Sequence, residues 1–391
     1  MKQYNNYADL ITFTRASSAT YLDSDGLLKT ASTNIPRIEY DSDGNRLGLL
    51  VEESRTNLIE YSDFSATWTS SNCTLTSSQQ SPDGNTNAIL FERNSTAASY
   101  LAKSKSKAAS SLTYSLSVFV KKDTAQYFAV RLQGLYPSRA DVVFDLNSGS
   151  IATAAATISN FSNPSAYIEN IGNGWYRCIL TATSDTNTAI NSYFSFNSNN
   201  VAIDGTDTAP DSSGIIFGAQ LEAGSFPTSY IPTSGATATR SADVASIGVS
   251  EFGYNQDEGT VVVEAQYNGV GQAPRLLCFS DGTNTNRIVI DYKPKLTIIT
   301  DNVITVNNIG PSSESSQLIP YKSGISFSDA GSAVTIDGVS PAVSSGAIPK
   351  SITKLIIGDG QTSPRYLNGH IKSIKYYPRR LTDAQLQELT S

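Results

Sequence analysis

The chain has 391 residues, enough for two or three domains with their own cores, and charged residues make up only 16% of it. Average soluble proteins carry about 25%; here Ser, Thr, Asn and Gly fill the difference, a composition that suits turn-rich β-structure and not an acidic disordered tail. The net charge of −7 argues against duplex nucleic acid, whose binding draws on Lys and Arg neutralising phosphates.

Residues 1–60 read as short extended pieces. The tetrapeptide Asp-Ser-Asp-Gly occurs twice, at 23–26 and 41–44, and Asp-Gly between alternating apolar residues is a strong hairpin signal. A calcium loop fails on spacing, because Arg46 stands where that loop needs glycine. The segment is too thinly apolar to bury a core alone, so it is expected to pack on a partner, a neighbouring subunit or another domain. Its start, MKQYNNYADL, has no apolar core of the kind a signal peptide carries, and no apolar run approaches a membrane span. No membrane insertion is expected.

From 61 to about 231 strand follows strand. SLTYSLSVFVKK, QYFAVRLQG, ADVVFDLNSGS, WYRCILTAT and SYFSFNSN are separated by Gly, Asn, Asp and Pro turns, the pattern of a jelly-roll-type β-sandwich. Period-two alternation puts Phe128, Val130, Phe194 and Phe196 on a core face and Tyr127, Arg131, Tyr193 and Asn197 on the opposite one. Aromatics beside guanidinium and amide groups can stack on a sugar ring and bond its hydroxyls, so these four are candidate carbohydrate-binding residues. The one basic run, KSKSK at 103–107, reads as a solvated hairpin tip.

Pro227 and Pro232 and the Ser/Thr/Gly/Ala-rich stretch after them end the last apolar strand, and 232–256 reads as a linker. Residues 257–391 are a second β-rich unit of strands four to nine residues long. Its turn at 281–286 supplies Asp281, Asn284 and Asn286 as further candidate glycan contacts and as the nearest approach to a calcium cluster. No cofactor is expected. Thr382 and Gln385 form a capping box for a short closing helix. The fold class is therefore all-β: a short N-terminal hairpin segment, two antiparallel sandwiches and a C-terminal helix.

Catalysis has little foothold. The single histidine, His370, has no evident nucleophile partner and reads as a strand-edge residue. Nucleotide-binding and metalloprotease motifs are absent from the sequence. Asp145, Glu169, Asp281, Asp291 and Asp359 are candidate carboxylates for glycosidic cleavage, but only spatial separation identifies such a pair. The three cysteines, Cys73, Cys178 and Cys278, fit neither a disulfide framework nor a zinc site and read as small apolar strand residues.

Four stretches, at 13–59, 168–183, 218–244 and 366–390, resemble those of bacteriophage tail-fibre and related virion adhesion proteins. IENIGNGWYRCILTAT is similar to a hairpin of carbohydrate-binding jelly rolls, and YLNGHIKSIKYYPRRLTDAQLQELT resembles the last strand and helix of concanavalin-A-like (laminin-G-like) sandwiches. The resemblance implies a non-enzymatic virion protein, made in a bacterial cytoplasm. It further implies a homotrimer, attached to other virion proteins through residues 1–60 and presenting lectin-like domains to host cell-surface polysaccharide. Within that resemblance Trp175 is expected as a core anchor. A decoration or connector role on capsid, collar or baseplate is the rival, with a polysaccharide depolymerase behind it. One internal echo stands apart: Thr239-Arg240 repeats Thr14-Arg15, and both arginines are expected to tie linkers to a neighbouring domain or subunit.

Overall fold

In a computed structural model, residues 10–269, 274–313, 315–360 and 365–391 are described. The first nine residues of the expected attachment segment lie outside that range. The chain is all-β, with two antiparallel sandwiches and the helix Asp383–Thr390 closing it.

The first sandwich is built from residues 69–223. One six-stranded sheet has Tyr127–Gln133 and Ala189–Asn197 at its centre; the other has Thr113–Lys122 flanked by Trp175–Thr183 and Ser213–Ala223. Phe128, Val130, Phe194 and Phe196 meet Leu116, Val118 and Leu180 between the sheets, as the alternation predicts. The hairpin of the GNGWYR stretch turns on Asn173 and Gly174, both at positive φ, the two-residue geometry that Asn-Gly favours. KSKSK departs from expectation. Its lysines mostly belong to the strand Tyr100–Ser106, where Lys103 and Lys105 pair with Glu60.

The second sandwich has two seven-stranded sheets among the described residues, and strands from the start of the chain complete both. Thr12–Thr14 pairs with Val244–Gly248 at the edge of one sheet; Arg46–Val51 pairs with Gly369–Tyr377 in the other, with Ile38–Tyr40 outside it. Phe13, Leu49 and Val51 enter the same core as Val261, Phe279, Phe327 and Leu355. The boundaries drawn in chain order at 60 and 256 therefore do not follow the sheets. A short strand cannot leave its N–H and C=O groups unpaired, and for Thr12–Thr14 and Arg46–Val51 those partners lie hundreds of residues downstream.

Both Asp-Ser-Asp-Gly copies are turns: Gly26 and Gly44 have φ of 70° and 78°, and the Asp23 and Asp41 carboxylates accept turn N–H groups. The first copy joins Ala19–Leu22 to Leu28–Ala31, a two-stranded hairpin on the outer face of the first sandwich. There Leu22 and Leu28 cover Trp175, Phe119 and Phe217, so Trp175 is a buried anchor. Cys73, Cys178 and Cys278 are free thiols in strands; burial pushes Cys73 and Cys278 up to about 11 and Cys178 well above its ordinary value. The closing helix has its capping box at Thr382 and Gln385 and inserts Leu386 beside Val262 and Ala333.

The 232–256 stretch is not a free linker. Ala238–Arg240 pairs with Arg55–Asn57, and Val244–Gly248 is a sheet strand. Arg15 and Arg240, each 1% exposed, converge with Arg37 on Asp243 and Glu52. Asp243 lies 3.1 Å from Arg15 and 2.5 Å from Arg37; Glu52 lies 2.9 Å from Arg37 and 3.5 Å from Arg240. Glu52 also accepts the backbone N–H and the hydroxyl of Ser229. Arg37 donates to Thr20 O and to Ser229 Oγ. One buried ionic cluster thus binds the N-terminal segment to the stretch that leaves the first sandwich and enters the second. Both repeated arginines tie the linker as expected.

Candidate functional site

The residues expected to bind sugar do not form an open surface. Arg131 is 2% exposed. Its guanidinium is held by Asp141 and Asp204, each at 2.6 Å, which leaves no free fork. Asn197 is 1% exposed: its Oδ1 accepts from Arg93 at 2.6 Å and its Nδ2 donates to Val201 O. Tyr127 and Tyr193 are half-buried around Ile203 and Ala129, and Tyr193 meets Tyr100 edge-on, centroids 5.3 Å apart. The alternation of faces was legible, but the segment following Asn197 folds back and covers the second face.

The 281–286 turn is self-satisfied in the same way. Asp281 accepts from Thr283 and Asn286, Asn284 accepts from Arg287, and Asn286 accepts from the Asp301 N–H. Slight burial would raise the Asp281 carboxyl, yet the hydrogen bonds from Thr283 and Asn286 outweigh it and hold it below its ordinary value. Among the described residues no group of three His, Cys, Asp or Glu side chains is placed to hold a metal.

The feature that gathers polar chemistry is a cleft of about 720 Å³ between the two sandwiches. One wall is the outer face of the first sandwich, where Tyr167 and Glu169 stand on Ser162–Gly172 and Arg177 lies directly across from Glu169 on Trp175–Thr183. The opposite wall belongs to the second sandwich: Glu39, Leu50, His370 and Gln266, on four adjoining strands. Residues 225–230 of the connecting stretch line it as well, and Tyr21 and Tyr40 add half-buried rings.

His370 is 2% exposed, an interior strand residue and not an edge one. Its Nε2 is 2.6 Å from Glu39 Oε2, while Glu39 Oε1 accepts the Leu22 N–H. Its Nδ1 is buried without a hydrogen-bond partner, as is Arg177 Nε. Arg177 Nη2 donates to Ser117 Oγ and to Thr228 O. Two other polar groups take no hydrogen bond within the described residues, the Glu169 carboxylate and the Gln266 amide. Desolvation in the cleft pushes the Glu169 carboxyl above its ordinary value; Arg177 opposes this, Glu39 adds to it, and His370 opposes it. Tyr167, 38% exposed, has its hydroxyl pushed up by desolvation and by Glu169.

Of the carboxylates considered from sequence, Glu169 alone lines this cleft. Asp145 caps a turn, Asp291 pairs with Arg275, and Asp359 accepts the N–H groups of Gly360 and Arg365. Glu39 and Gln266 carried no sequence signal. The Glu169–Arg177 pairing could have been counted outward from the Asn173-Gly174 turn.

No protein-family model matches the chain, and no curated protein matches it by sequence. Solved structures with distantly similar folds include domain 4 of an extracellular GH43 arabinanase from Geobacillus stearothermophilus, in complex with arabinotriose. It is 10% identical at a TM-score of 0.32, over 42% of this chain and 82% of that one. Trypanosoma rangeli sialidase in complex with the inhibitor DANA is 10% identical at a TM-score of 0.29, over 83% of this chain; the matched part spans 63% of the sialidase chain. The LG4-5 domains of the mouse laminin alpha1 chain are 10% identical at a TM-score of 0.27, over 86% and 91% of the two chains. At such scores nothing about ligand or activity passes from these proteins to this chain.

Proposed function

We propose that the protein is a non-catalytic glycan-binding component of a bacteriophage particle, and that the cleft between its sandwiches holds the sugar. The cleft carries the reading. Three incompletely buried tyrosines offer apolar ring faces, while Glu169, Gln266 and the orphan nitrogens of His370 and Arg177 offer hydrogen bonds to hydroxyls. The virion assignment, as a host-adhesion fibre displayed as a homotrimer, rests on the four sequence stretches that resemble such proteins. Trimeric display would multiply weak single sites, since linking sites raises avidity by about a hundredfold or more without new contacts.

Titrating the protein with bacterial surface polysaccharide fragments tests the site. Tyr167→Ala is expected to weaken binding about tenfold, equivalent to about 1.4 kcal/mol. Unchanged affinity in Tyr167→Ala combined with Gln266→Ala would move the site away from the cleft.

The buried cluster around Asp243 favours a second reading, a decoration or connector protein, because it ties both sandwiches to one strap as a spacer requires. Labelling the protein on intact particles separates the two: signal at capsid or collar would favour the spacer.

A further inference from the structure

The charge of the cleft narrows the ligand class, on the reading that the cleft holds a glycan. Four carboxylates line it: Glu39, Asp41, Glu52 and Glu169. Glu52 is matched by Arg37 and Arg240. The other three are met on the lining by one guanidinium, Arg177, and one imidazole, His370; no lysine contributes. Both bases are already engaged, Arg177 with Ser117 and Thr228 and His370 with Glu39.

Glu169 is the exception among the acids. It is half-buried, receives no hydrogen bond from a described residue, and shares the cleft with two side chains that are themselves at least nine-tenths buried, Arg177 directly across from it on the neighbouring strand and His370 on the opposite wall. Each of those carries an orphan ring or guanidinium nitrogen. A desolvated carboxylate without a donor is costly, and so is a buried ring nitrogen or guanidinium N–H without a partner. A sugar hydroxyl donates and accepts at once, so a polyol answers both needs. A ligand carboxylate only accepts, so it would answer the Arg177 Nε–H but offer nothing to Glu169, and it would add a like charge where water is scarce.

We propose that the cleft takes an uncharged, hydroxyl-rich glycan and turns away polyanionic ones, with Glu169 as the specificity-determining acceptor. A ligand built from hexoses or pentoses fits this chemistry. A polymer of uronic acids does not.

Calorimetric titration of the full chain at one fixed ionic strength tests this, with neutral manno-, galacto- and xylo-oligosaccharides set against galacturonate and mannuronate oligomers of the same length. The tightest neutral ligand is expected to bind at least about tenfold more tightly than the tightest uronate. Glu169→Gln is expected to narrow that gap, and Glu169→Lys to close or invert it with native circular dichroism retained. Should Glu169→Lys misfold, the isosteric Glu169→Gln still decides. Uronates that bind the wild-type protein as tightly as neutral sugars would overturn the inference and leave the cleft standing as a glycan site. A gap that neither variant changes would remove Glu169 from the role. Failure of every oligosaccharide in both classes to bind would instead sink the glycan reading, and the inference with it.

Discussion

Glu52 shows how one side chain can couple distant segments. Burial alone would raise its carboxyl, but Arg240, Arg37 and the Ser229 hydrogen bonds hold it far below the ordinary glutamate value. Its folded-state pKa lies below its unfolded one, so its contribution is complete above the unfolded value, about 4.3. It is lost as pH falls from there toward the folded value. Glu52→Gln is therefore expected to lower stability at pH 7, with the deficit shrinking by about 1.4 kcal/mol for each pH unit below about 4.3. Urea denaturation of both proteins between pH 7 and pH 3 checks this; a deficit constant across that range would show that the ion pairs do not set it. The same residue scale explains why the expected sugar contacts are covered. Arg131 and Asn197 face the side that the alternation indicates, but whether a loop lies over that side depends on residues 198–212, whose composition does not announce it.

Strands and turns account for most of what could be read along the chain. Asp-Gly and Asn-Gly turns, period-two alternation and the T-x-x-Q cap are local signals, governed by backbone sterics and near-neighbour hydrogen bonds. They reappear in place at Asp23–Gly26, Asn173-Gly174 and Thr382. Glycine at position 48 marks a contact that is not local. It sits in the strand Arg46–Val51 at φ 124°, and a Cβ there would lie 2.3 Å from Ile371 O. Only a residue without a side chain lets the two strands approach. Gly48→Ala is expected to cost at least about 2 kcal/mol, from backbone strain and steric conflict together, read as a fall in Tm. A Tm within a degree of wild type would show that the strand can shift to make room. His370 lies in the neighbouring strand, so the same variant is expected to disturb the cleft wall.

At the scale of the whole molecule the first and last parts of the chain make one sandwich. Phe13, Leu49 and Val51 sit in its core, and Asp243 and Glu52 tie its entry strand to the exit of the first sandwich. A chain starting at residue 58 is thus expected to fold its first sandwich but leave the second open, with unpaired edges on both sheets. Limited proteolysis is the readout: cleavage throughout 258–377 with 69–223 protected is expected, and equal protection of both regions would mean that the N-terminal strands are dispensable.

The sequence by itself determined the all-β class, the two strand-rich regions and the closing helix, since each depends on local periodicity or turn chemistry, while the Thr-Arg repeat only pointed to ties that Arg15 and Arg240 make with partners as far as 228 positions away. Tertiary structure alone decided that the strands Thr12–Thr14, Ile38–Tyr40 and Arg46–Val51 complete the second sandwich, that the expected sugar face is covered, and that Glu39, Glu169, Arg177 and His370 share one cleft. These last facts depend on pairings across as many as 331 positions, as between Glu39 and His370. Such a pairing follows from how whole sheets bury their faces and satisfy their edges, which no window of neighbouring residues records.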